Sequence, residues 1–346
     1  MRAFSILMFA LSLVSPETAA SANAQAAAKP LDVYFVDVEG GQATLIVSPS
    51  GESLLIDTGW PGFEGRDAGR IQAAMKQAGV ARIDYLLVTH FHTDHVGGVA
   101  ALAAKVPVGT FIDHGVTVEN TADANYTAYL EARKRGKYLQ VKPGDTIPVA
   151  GLKVTVVSSA GESIRSPLTG AAAPNPLCAQ HKPQPDDASE NARSVGVVIA
   201  YGAFRMVDLG DLTWNKEHDL ACPSNLIGPV DLYLTTHHGS QQSGPAVLVH
   251  ALKPRVAVMN NGTKKGGSPS AWRIVRDSPG LEDLWQLHAS AEGGREANSA
   301  DQFIANLDEA TAHAIRVSAK QDGSFTVTNG RTSMTKTYQA PGGARR

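Results

Sequence analysis

The stretch Thr89-His90-Phe91-His92-Thr93-Asp94-His95-Val96-Gly97-Gly98 carries the strongest indication of the fold and chemistry of this chain. It places three imidazoles and one carboxylate within six positions, directly after the apolar run Tyr85-Leu86-Leu87-Val88. Histidine nitrogen and aspartate oxygen bind zinc at about 2.0–2.2 Å. We therefore predict that a buried strand ends at this stretch and presents its polar side chains to a metal site.

The spacing within the stretch predicts two metal ions. His90 and His92 lie two positions apart, so an extended backbone points both imidazoles to one side and towards the same ion. Asp94 and His95 follow where we expect a helix over 96–105 to begin, and they face a second ion. Such ions lie about 3.5–4 Å apart and activate water as hydroxide. Asp94 is expected to hold that nucleophile in place.

Polar residues at the ends of two later strands offer the remaining ligands. Leu209-Gly210-Asp211 follows a strand predicted over 204–208, and His237 follows a strand predicted over 232–236. A paired site needs a bridging carboxylate, and the glycine before Asp211 favours this residue over Asp208.

Adjacent histidines divide their roles if the chain is extended, because neighbouring side chains then point in opposite directions. We expect His237, which ends the strand, to bind metal, and His238 to contact substrate or act as a general acid. Asp57 is expected to orient the histidine loop without binding metal. The alternative for Asp57 is a turn-capping aspartate.

These residues occur in an order that resembles the signature of the metallo-β-lactamase superfamily. The resemblance covers residues from about 31 to 240 and rests on these elements: Leu55-Ile56-Asp57-Thr58-Gly59, His90-x-His92-x-Asp94-His95 with Gly97-Gly98, Gly210-Asp211, and His237. It implies an α/β protein with a four-layer αβ/βα sandwich and a binuclear site at the sheet edge. No linker divides the mature chain convincingly, so we expect one domain over 31–340. Members hydrolyse lactams, thioesters, lactones, phosphodiesters and nucleic acids, so the fold does not identify the substrate.

A narrower resemblance concerns the metallo-hydrolase domain of DNA-uptake competence proteins. It rests on His237-His238-Gly239-Ser240, on Val36-Asp37-Val38-Glu39-Gly40-Gly41-Gln42 and on Asn191-x-x-Ser194. This subgroup is associated with nuclease or phosphodiesterase activity, and the resemblance therefore favours phosphodiester bonds as the target.

The chain departs from the superfamily pattern at one metal ligand. A third histidine is usual for the first ion, but this region contains Asn191, whose amide oxygen is a weak ligand for zinc. Oxygen ligands suit manganese better, so zinc is expected with manganese as the alternative. His181 is a further candidate for the missing ligand.

Composition limits the partners of the chain. The 346 residues carry a formal charge of −2 and contain no long basic block, so no stable nucleic-acid partner is expected. The short basic loop Lys264-Lys265-Gly266-Gly267 is expected to be solvated, although it could meet a phosphate.

The N-terminal residues are typical of a secretory signal peptide over 1–24. The positive Met1-Arg2 precedes an apolar run of eleven residues, and Ala22-Asn23-Ala24 fits a cleavage site. A flexible lead-in over 25–30 follows. We expect a periplasmic or secreted protein in which Cys178 and Cys222 form a disulfide.

The sequence thus predicts an exported metal-dependent hydrolase that acts on phosphodiester bonds. One alternative is a hydrolase of β-lactams or lactones. Another is a catalytically weak metal-binding protein whose site has decayed at Asn191.

Overall fold

Two β-sheets packed face to face form the centre of this α/β protein. The computed structural model describes residues 29–340 and positions 1, 4 and 342. Apart from positions 1 and 4, the predicted signal peptide over 1–24 lies outside the described residues, as does most of the predicted lead-in over 25–30. Within the described residues, no helix is both long and apolar enough to cross a membrane.

The first sheet has nine strands in the order β18-β17-β16-β1-β2-β3-β4-β5-β6. Their bounds are β1 Leu31–Phe35, β2 Thr44–Val47, β3 Ser53–Ile56, β4 Ile83–Leu87, β5 Val108–Asp113, β6 Lys137–Gln140, β16 Ile315–Ala319, β17 Phe325–Asn329 and β18 Thr335–Tyr338.

The second sheet also has nine strands, ordered β15-β14-β13-β12-β11-β10-β8-β7, with β9 paired to β8. Their bounds are β7 Thr146–Ile147, β8 Lys153–Ser159, β9 Glu162–Ser163, β10 Gly196–Tyr201, β11 Phe204–Asp208, β12 Leu232–Leu234, β13 Val256–Met259, β14 Asp283–His288 and β15 Ile304–Asn306.

Helices cover the outer face of each sheet. The helices are α1 Arg66–Ala78, α2 Thr93–Val96, α3 Val99–Ala103, α4 Ala124–Arg133, α5 Trp214–Ala221, α6 Ala246–Leu252 and α7 Pro269–Arg276. Strand β1 shows how the layers form, because Val33 and Phe35 pack between the sheets while Tyr34 packs against α1 and its neighbours. A third apolar core lies between the second sheet and α5–α7. This arrangement confirms the predicted four-layer αβ/βα sandwich.

Parallel strands bring the predicted site residues to one edge. Strands β3 and β4 are parallel in the first sheet, and β11 and β12 are parallel in the second. Asp57 and the histidine stretch follow the first pair, and Asp211 and His237 follow the second. Since the carboxyl ends of parallel strands meet at the same edge of a sheet, the two packed sheets place these residues together.

The helix predicted over 96–105 is wrong in its bounds, because a break at Gly97-Gly98 separates α2 from α3. A Cβ atom on Gly98 would lie 2.1 Å from the carbonyl oxygen of Thr58, and one on Gly97 would lie 2.3 Å from Pro61. The two glycines therefore allow the histidine loop to pack directly on the segment after β3.

The disulfide between Cys178 and Cys222 is confirmed, with the two Cα atoms 5.7 Å apart. It joins the segment between β9 and β10, where the structure has only short 3₁₀ turns, to the end of α5. Asn175 strengthens this connection, because its side-chain amide donates hydrogen bonds to the carbonyl oxygens of Ala221 and Val247.

Removal of the disulfide should destabilise the fold. The bridge spans 44 positions, so the chain-entropy model gives a loss of roughly 4 kcal/mol for C178S/C222S. Urea unfolding of oxidised wild type and of the double variant measures this difference. Dithiothreitol should lower the stability of wild type and leave the variant unchanged; equal stabilities of the two proteins would contradict the prediction.

Candidate metal centre

The histidine stretch turns sharply after β4 and buries most of its polar side chains. His90 and His95 have no exposed surface, and Asp94 is 6% exposed. His90 Nε2 and His92 Nδ1 lie 3.1 Å apart, so both imidazoles converge on one point as their spacing predicts.

Four buried side chains from three distant segments meet beside this point. Their ligand atoms all lie within 4.8 Å of one another, and the residues are Asp94, His95, Asp211 and His238. His95 Nε2 lies 3.3 Å from Asp94 Oδ2 and 3.2 Å from Asp211 Oδ2. His238 Nε2 lies 3.2 Å from Asp94 Oδ2 and 3.4 Å from Asp211 Oδ1.

The hydrogen bond at the outer ring nitrogen of His95, Nδ1, determines whether the inner nitrogen, Nε2, which faces the cluster, carries a proton. Its Nδ1 lies 2.7 Å from Asp57 Oδ2, a carboxylate oxygen that only accepts, so Nδ1 carries a proton. In the neutral imidazole, Nε2 then turns a lone pair towards the carboxylates of Asp94 and Asp211. The contact agrees with the orienting role predicted for Asp57.

The same reasoning applies to the other two imidazoles of the stretch. Thr89 donates its hydroxyl proton to Asp57 Oδ2 at 2.7 Å and therefore accepts from His90 Nδ1 at 3.1 Å. His92 Nε2 donates to Glu119 Oε1 at 3.1 Å. The lone pairs of His90 Nε2 and His92 Nδ1 consequently face each other.

These inward lone pairs fit divalent cations. Neutral imidazole and carboxylate are both metal ligands, and an imidazole ligand commonly donates its outer N–H to a carboxylate or another acceptor. Among the buried atoms at the cluster, His95 Nε2, Asp211 Oδ1 and both ring nitrogens of His238 have no hydrogen-bond partner. A cation between His95 Nε2, His238 Nε2 and Asp211 Oδ1 would satisfy these three atoms, so the donor set fits a metal ion.

The charges at the cluster are strongly coupled. Burial opposes ionisation of Asp94 and Asp211, yet the imidazoles of His95 and His238 hold the pKa values of both carboxyls well below the usual range. Burial also lowers the pKa of His95, but Asp211 and Asp94 outweigh it and raise that pKa well above its ordinary value. Without a metal ion, a proton on His95 therefore offsets part of the negative charge.

The premise of extended backbone at the adjacent histidines is wrong. His237 and His238 have φ angles of 55° and 56°, in a tight turn after β12. Both Nε2 atoms consequently approach Asp211, and His237 Nε2 lies 3.3 Å from its Oδ2. His238 belongs to the buried four-residue group, and its predicted contact with substrate or role as a general acid stays a prediction.

His237 also presents a lone pair to Asp211. Ser243 donates its hydroxyl proton to the carbonyl oxygen of Leu212 at 2.8 Å and so accepts from His237 Nδ1 at 3.2 Å. The predicted ligand His237 therefore remains suited to bind metal, with 11% of its side chain exposed.

Two other predicted positions have distinct surroundings. Asp208 accepts from Gln42 Nε2 at 3.0 Å and from the backbone N–H of Gly210, outside the four-residue group, and burial raises its pKa to about 6. Asn191 Oδ1 is buried without a hydrogen-bond partner. The role of a weak oxygen ligand stays a prediction for this residue.

Glu190 supports the stretch and was missed from the sequence. Its carboxylate accepts from the backbone N–H groups of Phe91 at 3.1 Å and Val118 at 2.7 Å. It also accepts from Thr117 Oγ1 at 2.7 Å and contacts His114 Nε2 at 2.9 Å. Glu190 and Phe91 are 99 positions apart, so no local motif indicates this contact.

Lys265 is a second residue whose place at the site was not predicted from the sequence. Its ammonium group contacts Asp94 Oδ2, although the basic loop that contains it was expected to be solvated. No metal-binding motif includes this lysine, and only the packing of the two sheets brings it to the site.

A second group of side chains that could bind a metal already contacts an arginine. Asp37, Glu39 and His288 lie close together near the turn after β1. Arg70 Nη1 lies 3.1 Å from Asp37 Oδ2, and Arg70 Nη2 lies 3.2 Å from Glu39 Oε1. The guanidinium already supplies the positive charge that these acids require.

Residues 36–172 match the family model of the metallo-beta-lactamase superfamily. The chain is 33% identical over 98 residues to a hydroxyacylglutathione hydrolase of Rhodopseudomonas palustris, covering 28% of this chain and 32% of that protein. It is 32% identical over 119 residues to a ribonuclease Z of Methanopyrus kandleri, covering 33% and 38%. A UPF0173 metal-dependent hydrolase of Cupriavidus necator is 26% identical over 259 residues, covering 68% and 77%.

The chain thus spans less than half the length of the first two of these relatives. The family match and the observed sandwich together show that the chain has the metallo-β-lactamase fold.

Replacement of Asp57 by asparagine should weaken metal binding. The amide cannot hold the Nδ1 proton of His95 as a carboxylate does, and loss of such an outer contact reduces metal affinity roughly tenfold to a hundredfold. Zinc titration against a chromophoric chelator measures the effect. D283N is the matched control, because Asp283 bonds to Tyr338 and Lys336 at the start of β14. Equal zinc affinities of wild type and D57N would refute the orienting role.

Replacement of Glu190 by glutamine should lower stability in a pH-dependent manner. Although burial opposes its ionisation, the donors around Glu190, led by His114, lower its pKa to about 2. A depressed acid pKa contributes stability above the unfolded-state value, near 4.5, that is lost as pH falls towards 2. Urea unfolding from pH 7 to 3 should show a difference of roughly 2–3 kcal/mol at pH 7 that shrinks below pH 4.5. The exposed E131Q should show no such trend.

Proposed function

We propose that this chain, which has the metallo-β-lactamase fold, is an exported metal-dependent hydrolase that acts on phosphodiester bonds. The observation that carries the proposal is the convergence of Asp94, His95, Asp211 and His238 with unpaired inner atoms. A binding site for a purely structural metal does not require two carboxylates that share the same pair of imidazoles.

The donors divide into two sets that share Asp211. His90 and His92 would hold one ion, with His237 as a further ligand, and Asp94, His95 and His238 would hold the other. Asp211 offers its two oxygens to different imidazoles, Oδ2 to His95 and His237 and Oδ1 to His238. When bound, the ions lower the pKa of water towards about 7 and supply a nucleophile at neutral pH. Asp94 would orient that nucleophile from the side of His238.

The donor set favours zinc, with manganese as the alternative. Imidazole nitrogen dominates the set, and zinc accepts nitrogen and carboxylate oxygen together. The buried oxygen of Asn191 adds a donor that suits manganese better. Metal analysis of the purified protein would identify the ion and its stoichiometry.

Phosphodiester cleavage is supported by the likeness of the histidine turn to competence-protein domains and by the ribonuclease Z relative. A second candidate is a carbon-centred hydrolase of lactones, β-lactams or thioesters, because hydroxyacylglutathione hydrolases match the chain to a similar extent. A catalytically weak metal-binding protein is less well supported, since Asp94 and Asp211 both lie in the cluster.

Export rests on the predicted signal peptide and agrees with the disulfide. Bridges such as Cys178–Cys222 form and persist mainly in oxidising compartments. A periplasmic or secreted location therefore remains our proposal, and fractionation of the native host would test it.

Parallel assays of the metal-loaded protein separate the candidate functions. We expect turnover of bis-p-nitrophenyl phosphate, with little cleavage of nitrocefin or of an acyl lactone. D211N should lose most of this turnover, because it removes the shared carboxylate, whereas D283N should retain it. Cleavage of nitrocefin or lactone alone would reverse our order of candidates. Bound metal without turnover of any substrate would favour the binding protein.

A further inference from the structure

The ammonium group of Lys265 contacts Asp94, one of the predicted metal ligands. It contacts Asp94 Oδ2, the same oxygen that His95 Nε2 and His238 Nε2 approach at 3.3 and 3.2 Å. One carboxylate oxygen cannot serve the lysine and a divalent ion in the same direction. Lys265 and the ion are therefore alternative partners of Asp94.

The backbone around Lys265 is fixed beside the site. Gly262 donates its N–H to the carbonyl oxygen of Lys265 at 2.8 Å, and Gly267 donates to the carbonyl oxygen of His238 at 2.9 Å. Gly266 has a φ of 73°, and a Cβ atom there would lie 2.2 Å from that same His238 oxygen. The loop 262–267 therefore packs directly on the turn at His237-His238. A displaced Lys265 side chain stays within reach of the cluster.

The ammonium group of Lys265 also lies beside an aromatic ring while it contacts Asp94. About a third of Lys265 is exposed (35%), and its Nζ lies 4.9 Å from the ring centroid of Trp60. An aromatic face attracts an ammonium group, and the flexible four-carbon stem lets the charge move over that face. Lys265 can leave Asp94 without leaving the rim of the site.

A metal ion at Asp94 changes what Lys265 requires. An ammonium beside a divalent cation is repelled unless an anion lies between them. A phosphodiester substrate carries such a charge and places it next to the metal. The displaced lysine and the ion would then bind the same phosphate group from two sides.

We propose that Lys265 competes with the metal ion for Asp94 and, once displaced, binds the phosphate oxyanion of the substrate. The proposal rests on the proposed function, because it assumes a metal site at Asp94. It adds a residue that makes substrate binding depend on metal loading.

Two titrations test the proposal with K265M and with its matched control K264M. Lys264 lies next in sequence, is 79% exposed and pairs with Glu309, so its loss removes the same charge without touching Asp94. In the metal-free protein, K265M should bind zinc roughly tenfold to a hundredfold more tightly than wild type, since it removes a charge-assisted competitor. K264M should bind zinc as wild type does.

The zinc-loaded proteins are then titrated with inorganic phosphate by calorimetry. K265M should bind phosphate roughly tenfold more weakly than wild type, and K264M should bind it equally well. K265Q repeats both titrations with a polar side chain, and circular dichroism verifies that each variant is folded.

The possible failures are distinguishable. If wild type binds no zinc, both the proposed function and this inference are wrong. If wild type binds zinc but neither K265M nor K265Q binds it more tightly, the competition is refuted while the metal site stands. If zinc binding tightens and phosphate binding is unchanged, the lysine does not recognise the anion, and that part is refuted.

Discussion

The carboxylate of Asp57 is the contact on which the candidate site depends. It accepts from the backbone N–H and the hydroxyl of Thr89 and from His95 Nδ1, all within 2.8 Å. One buried acid thereby fixes the start of the histidine loop and the protonation of one imidazole directly. Through the Thr89 hydroxyl it also fixes His90. Inner nitrogens can bind metal only while these outer contacts hold the protons.

The clustered charges also explain why the site is surrounded by rigid structure. Carboxylates and imidazoles within a few ångströms of each other repel or pair according to small displacements. Glu190 joins the histidine stretch to the loop at Thr117 and Val118, and Ser243 orients His237 from the same connection after β12. The two sheets, held by an apolar core between them, prevent relative movement of these supports.

Local patterns in the sequence were sufficient for much of the fold and part of the site. Apolar runs that end in polar clusters indicated the strands, and the spacing of His90 and His92 indicated that both face one point. Helix bounds were predicted less accurately, because tertiary contacts determine them. At Gly97-Gly98 the helix is interrupted where the backbone packs closely on Thr58 and Pro61. The expectation that His237 and His238 point in opposite directions was wrong, since backbone at positive φ does not alternate side chains as a strand does.

The sequence by itself determined which residue types converge, since strand ends of parallel segments meet at one sheet edge whatever the details of the loops. It also determined the disulfide partners, because the chain contains two cysteines. Only the tertiary structure decided that His238 joins the buried acids, that Glu190 holds the histidine loop and that Lys265 reaches Asp94. Lys265 and Asp94 are 171 positions apart, and such long-range contacts depend on how the two sheets pack, which no local pattern of residues encodes.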